Sequence, residues 1–262
     1  MNSKCKYFFH LMIFYIYLYK LLFSMKLNKI KINKKIYKIY LPNGVFKPTA
    51  TTKFLLNGFF SRNKKIRKKK ILDLGCGSGI VSVVVNKKFK SNIFFASDLS
   101  SKAINCCRKN FSYSKIKGVV KKGSLLRPWE KNKFDIILND ISGVSEDIAK
   151  KSLWFRNIPV STGNDGSKLT ISVIKNSSNF LNNKGKLYLP IISLSNEKKI
   201  VYYAKKKFKK VKIISSDSWF LPKEIEKYNK LLFKLKKENK INFEYKFGKF
   251  ICSTKILELK NY

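Results

Sequence analysis

Three carboxylates stand where a chain could hold a polar ligand. Asp73 opens the run Asp73-Leu74-Gly75-Cys76-Gly77-Ser78-Gly79, in which glycine recurs at every second position. Asp98 closes the next apolar run, and Asp140 follows Asn139 at the end of a third, Phe134 to Leu138. Glycine lets a backbone approach a ligand closely and take angles closed to other residues. A helix N-terminus after such a turn offers N–H groups to an anion. A carboxylate at a strand end can accept both hydroxyl protons of a ribose. Asp140 can orient or deprotonate an N–H or O–H nucleophile, and Asn139 can accept a hydrogen bond from an amine. A reading of equal weight has Asp140 only capping its own loop through backbone N–H groups.

Other chemistries drop out. The sole histidine is His10, in an apolar leader, which removes Ser-His-Asp and Cys-His catalysis and histidine-ligated zinc. The five cysteines, Cys5, Cys76, Cys106, Cys107 and Cys252, form no CxxC pair. That pattern suits a reducing, cytoplasmic setting and no metal site. No GxxxxGK[ST] run occurs, so a P-loop is excluded. A dinucleotide turn, GxGxxG, would need glycine at position 80, which is Ile80. The GxGxG spacing instead suits a nucleoside ligand ending in an amino-acid carboxylate.

These residues need a sheet to position them. Ile71 to Leu74, Asn92 to Ala96, Val119-Val120, Phe134 to Leu138 and Lys186 to Ile191 read as strands. Between them, Ile80 to Phe89, Lys102 to Phe111 and Ser167 to Leu181 read as helices. Such alternation predicts an α/β fold, a mostly parallel sheet with helices on both faces, and ligands bind beyond the carboxyl ends of its strands. Val211 to Ser215 and Phe250 to Leu259 supply an antiparallel edge. Ile225, Tyr228, Leu231, Leu232 and Leu235 recur at helical spacing. Trp219-Phe220-Leu221-Pro222 reads as a loop whose aromatics plug the core or overhang a substrate. Asp165, in Gly163-Asn164-Asp165-Gly166, shapes a turn before a helix.

Upstream, Lys29 to Leu41 alternates around Asn33-Lys34 and predicts a β-hairpin. Phe54-Leu55-Leu56 reads as a short helix, and the basic run Arg62 to Lys70 as a solvated linker. Three segments follow: a leader over 1–24, a hairpin and capping segment over 25–65, and the main domain over 66–262. The apolar run Tyr7 to Tyr19 has no small-x-small cleavage site and is short for a membrane span. Upstream sequence joined before a true start at Met25 is the favoured account, and a membrane partner follows only if the leader is a real anchor.

The net charge is +42, yet only five of the 57 basic residues are Arg. A phosphate-reading surface would use more Arg. Lys, Ile, Asn, Phe and Tyr share AT-rich codons, so codon bias is taken as the main source of the charge. RNA, acidic proteins and anionic lipid would still be attracted.

Together ILDLGCGSG, Asp98, FDIILND and TGNDGSKL resemble the class I S-adenosylmethionine-dependent methyltransferases, nearest the small-domain branch of HemK-like release-factor glutamine methyltransferases. The resemblance covers roughly residues 45–221. It implies a Rossmann-like sheet, S-adenosylmethionine as cofactor, and methyl transfer. By that resemblance Asp73, Gly75 and Gly77 line the methionine part, Gly79 also belongs to the cofactor-binding set, Asp98 binds the ribose, and Ser124 and Leu125 lie beside the adenine. Pro48 and Thr52 resemble a PxxxT element that caps the cofactor. Relatives often carry Asp where Ser124 stands, and the Asn-Pro-Pro-Tyr run of HemK-like enzymes is replaced by Asn139-Asp140-Ile141-Ser142. Glutamine or adenine methylation therefore does not carry over. Asn139 and Asp140 remain the catalytic candidates. A protein side chain of a translation component is the favoured acceptor. RNA is the alternative, and an inactive RNA-binding scaffold is a third reading.

Overall fold

The computed structural model describes Met12 and residues 27–141, 143–155, 158 and 160–262. Apart from Met12, the leader lies outside the described residues, as do the Met25 start and Ser142. Strands β1 (Leu27–Ile32) and β2 (Lys35–Tyr40) form the expected antiparallel hairpin, turning at Asn33, whose φ is 55°. Asn tolerates that left-handed conformation better than most residues. Helix α1 (Ala50–Arg62) follows and is far longer than Phe54 to Leu56. The core then alternates: β3 (Lys70–Leu74), α2 (Ile80–Lys88), β4 (Ile93–Asp98), α3 (Ser101–Tyr113), β5 (Gly118–Lys122) and β6 (Phe134–Asn139). After β6 come α4 (Glu146–Lys151), α5 (Lys168–Ser177), β7 (Leu181–Ile192), α6 (Glu197–Lys207), β8 (Lys210–Phe220), α7 (Lys223–Glu226), α8 (Asn229–Lys237), β9 (Glu244–Lys246) and β10 (Lys249–Lys260).

The main sheet runs β5-β4-β3-β6-β7-β10-β8, with β9 also on β10. Strands β5 through β7 pair in parallel, and β10 pairs antiparallel with β7, β8 and β9. Alternation along each strand divides the core between two faces. Ile71, Phe94, Ile136 and Leu138 face one buried cluster with α1, α2, α3 and the hairpin's Ile32 and Ile39. Leu72, Leu74, Phe95, Ile137 and Leu187 face a second with α5, α6 and Trp129. Burial on both faces is why these strands read as nearly continuous apolar runs. A third cluster, including Val144, Phe155, Leu221, Leu232 and Phe250, joins α4, α7 and α8 to β10.

Helix α1 lies tight on the sheet because Gly58 has no side chain; a Cβ there would come within 3.1 Å of Ile256 Cγ2. Leu55, Leu56 and Phe59 of α1 are fully buried, each contributing about 1.5–3 kcal/mol by leaving water. Helix α2 contains four valines, poor helix formers in isolation, yet every residue from Ile80 to Val85 is buried. Packing decides its conformation.

Three expectations need correction. Strand β8 continues through Trp219 and Phe220, so these are not loop residues. The Trp219 indole donates to Thr254 Oγ1 at 3.0 Å, pinning that end of β8 to β10. The helical spacing from Ile225 to Leu235 spans two helices, broken at Lys227-Tyr228. Finally, α5 ends at Ser177 and Leu181 already begins β7.

Candidate active site

Strands β3, β4 and β6 end side by side; Asp98 and Asn139 are the last residues of β4 and β6, and Asp73 is the last but one of β3. In the register, Asp73 lies opposite Ala96 of β4 and Leu138 of β6, and Leu74 opposite Asn139. The Asp140 N–H donates to Leu74 O at 3.0 Å, extending the pairing by one residue.

Gly75, Gly77 and Gly79 all have positive φ, at 73°, 51° and 77°. Gly75 is also required by space: a Cβ would stand 2.5 Å from Ile141 Cγ2. The turn is stitched to β4. Gly75 and Cys76 N–H groups both donate to Ser97 O, and the Gly77 N–H donates to Asp98 Oδ2 at 3.0 Å. Asp98 Oδ1 accepts from the Ser100 N–H at 2.8 Å. Asp98 thus shapes the turn while remaining half-buried at its rim. Its backbone carbonyl accepts from the Gly123 N–H, which places Ser124 and Leu125 beside it. Ser124 is exposed, and Leu125 takes a φ of 50°.

Helix α2 begins at Gly79, which has no capping side chain. Asp73 substitutes: its Oδ2 accepts from the Ser82 N–H at 3.0 Å and the Ser82 hydroxyl at 2.7 Å. One N–H expected to face an anion is therefore taken by the protein. Asp73 Oδ1, Ser78 Oγ and Asn139 Oδ1 are buried with no hydrogen-bond partner among the described residues. Buried polar atoms are rarely left unpaired in a finished fold. Three of the six such atoms among the described residues cluster in the glycine turn and the adjoining strand ends; Glu197 Oε1, Ser215 Oγ and Glu258 Oε1 lie elsewhere. Burial pushes the Asp73 carboxyl up to about 7, with Asp140 and Asp98 adding repulsion and the Ser82 bonds opposing it.

Asp140 is half-buried, and burial raises its carboxyl to about 7 against the hydrogen bond from Thr52. That bond runs from Thr52 Oγ1, in the first turn of α1, to Asp140 Oδ2 at 2.7 Å. Thr52 itself is only 2% exposed. The segment before α1 crosses the glycine turn, with Phe46 O near the space above Gly77. Spacing alone missed Ile141 over Gly75, Ser82 under Asp73, and Leu99, an exposed leucine following Asp98. Nothing in sequence distance signals the first two. Leu99 was readable as an apolar residue just past a strand end. Asp165 lies apart from these residues. It makes its expected turn, accepting from Ser167 and pairing with Lys199 at 3.0 Å.

The model of the methyltransferase small domain matches residues 37–140, the hairpin's second strand through Asp140. Over that stretch, about two fifths of its length, the chain is similar to the methyltransferase small domain. A release factor glutamine methyltransferase of Thermodesulfovibrio yellowstonii is 28% identical over 162 residues, 59% of this chain. The chain spans 58% of that relative's length. The ribosomal RNA small subunit methyltransferase C of Haemophilus influenzae is 30% identical over 73 residues, covering 28% of this chain and 22% of that one. Among solved structures, the T. thermophilus 16S rRNA N2 G1207 methyltransferase, in complex with AdoMet and guanosine, aligns with a TM-score of 0.59 at 14% identity. That alignment covers 90% of this chain and 50% of the other. The methyltransferase sheet order and antiparallel β10 are therefore those of the expected Rossmann-like fold.

Proposed function

We propose that this protein methylates a side chain of a protein component of translation, using S-adenosylmethionine, in the cytoplasm. The observation that carries the reading is the oriented carboxylate of Asp140, held by Thr52 at the end of β6 beside the glycine turn. The longer match, to a release factor glutamine methyltransferase, supports a protein acceptor.

The residues present fit the cofactor. Asp73 Oδ1, an acceptor without a donor among the described residues, suits an ammonium group. The rim carboxylate of Asp98 would hold ribose hydroxyls, and Ser124, Leu125 and Leu99 would flank a base. Bound S-adenosylmethionine supplies a methyl group on a sulfonium, whose thioether is a good leaving group. The protein's contribution is alignment and exclusion of water. Thr52 and Phe46 close the turn from above. With its carboxyl near 7, Asp140 can accept a hydrogen bond or a proton from an acceptor N–H at neutral pH. Asn139 would hold the same group by its amide oxygen.

An RNA acceptor is the second reading, favoured by the similarity to a ribosomal RNA methyltransferase. Labelled S-adenosylmethionine added with the protein to a lysate of methylation-deficient cells separates the two. The expected label resists ribonuclease and is lost to protease; a ribonuclease-sensitive label would overturn the protein reading.

A further inference from the structure

Charge is distributed unevenly along this chain. Residues 27–129 hold 25 Lys or Arg and only two acidic residues, Asp73 and Asp98. Both acids serve the glycine turn. Residues 130–262 hold 28 basic residues but 13 acidic ones. Codon bias can enrich lysine throughout; it does not clear the acids from one half of a fold. The hairpin, α1, α2, α3 and β5 therefore present surfaces without a single exposed carboxylate except at the cofactor turn.

On that half lies a groove between β2 of the hairpin and the C-terminal ends of α2 and α3. It is lined by Ile36, Lys38, Lys87, Lys90 and Tyr113, among others, with no acidic residue. Tyr113 is 41% exposed and Ile36 56%. Tyr37 forms part of its wall, and Lys87 Nζ stands 5.4 Å from the Tyr37 ring centroid. Lys87 and Lys88 also complement the C-terminal dipole of α2. That accounts for two cations on one helix, and for neither Lys38 and Lys90 nor the missing acids.

We propose that this groove binds single-stranded RNA, separately from the methyl-transfer cleft. Lysines along a groove track a phosphate backbone, and an exposed ring offers a stacking surface to any base. Lysine meets a phosphate as a point charge and lacks the planar fork of arginine, so a lysine groove suits loose backbone contact more than geometric readout. The site would hold the enzyme on an RNA-bearing assembly while the cleft, at the opposite ends of the strands, reaches the acceptor.

The test is fluorescence anisotropy with a labelled single-stranded oligoribonucleotide and the full chain. The groove variant is K38E/K87E/K90E. The control is K230E/K234E/K237E on α8, which alters net charge equally at another place. The groove variant is expected to lose at least ~10-fold in affinity, and its log K against log salt slope to shrink by ~2, as for three lost phosphate contacts. Tyr113→Ala should lose ~5-fold or more through stacking. Equal losses in the groove and control variants would mean diffuse attraction and overturn the proposal. So would wild-type affinity in Tyr113→Ala, or tighter binding to phosphatidylserine vesicles than to RNA that the groove variant abolishes.

Discussion

Thr52 and Asp140 are 88 residues apart in sequence and joined by a hydrogen bond of 2.7 Å. The bond ties the first turn of α1 to the end of β6, so the helix that follows the segment near the glycine turn also fixes the carboxylate beside that turn. A hydrogen bond to a charged group is worth about 1.5–3 kcal/mol. Thr52→Val is therefore expected to slow methyl transfer by ~10- to 100-fold, with Thr52→Ser restoring most of it. Because Thr52 lowers the Asp140 carboxyl, the valine variant's pH–rate midpoint should move to higher pH. A merely structural threonine would lower the amount of folded enzyme without moving that midpoint.

The raised carboxyls of Asp73 and Asp140 set a pH dependence of stability. Both stand near 7 when folded, against an ordinary value of 3.8. Between these values the folded chain holds protons that the unfolded chain has released. Their contribution to stability is complete below about pH 4 and is lost as pH rises through about 7. The urea midpoint of the cofactor-free protein should fall between pH 5 and pH 8. Asp73→Asn, which keeps an acceptor for Ser82, should flatten that fall. A wild-type midpoint that rises over the same range would contradict the burial of these groups.

Gly75 tests the packing of the turn. Gly75→Ala would press a Cβ against Ile141 and strain a φ of 73°. Loss of both melting temperature and cofactor binding is expected. Ile141→Ala in the same chain should recover part of the melting temperature, since it removes the 2.5 Å contact with Cγ2 and leaves the Ile141 backbone at 3.1 Å and the strained φ. If the double variant is no better than Gly75→Ala, the contact with Ile141 is not what excludes a side chain.

Asp98 serves both the turn and the proposed ribose contact. Asp98→Ala should cost S-adenosylmethionine affinity severely in calorimetry. Asp98→Asn, which can still accept from Gly77 or Ser100, should hold the turn better yet bind cofactor more weakly than wild type. Unchanged affinity in both variants would remove Asp98 from the cofactor site.

Much of the fold was legible because its signals are local. The glycine turn needs positive φ at three nearby positions, and strands buried on both faces leave unbroken apolar runs such as Ile71-Leu72. What escaped depends on distant partners. Trp219 and Phe220 look like a loop beside Pro222, yet pairing with β10 keeps them in a strand. The spacing from Ile225 to Leu235 is helical, but two short helices satisfy it as well as one. Helix α2 was legible from its place after the glycine turn, against the strand preference of its valines. The site divides similarly: Asp73, Asp98 and Asn139-Asp140 announce themselves at strand ends, whereas the Asp73–Ser82 and Thr52–Asp140 bonds and Ile141 over Gly75 exist only once the sheet is assembled.

The central claim is that Asp140 acts on the methyl acceptor and not on the cofactor. Asp140→Ala should be measured twice, by calorimetry with S-adenosylmethionine and by transfer of labelled methyl to the protease-sensitive acceptor. The account predicts cofactor affinity within a few-fold of wild type and transfer reduced to background. Cofactor affinity lost in step with transfer, or transfer retained, would contradict it.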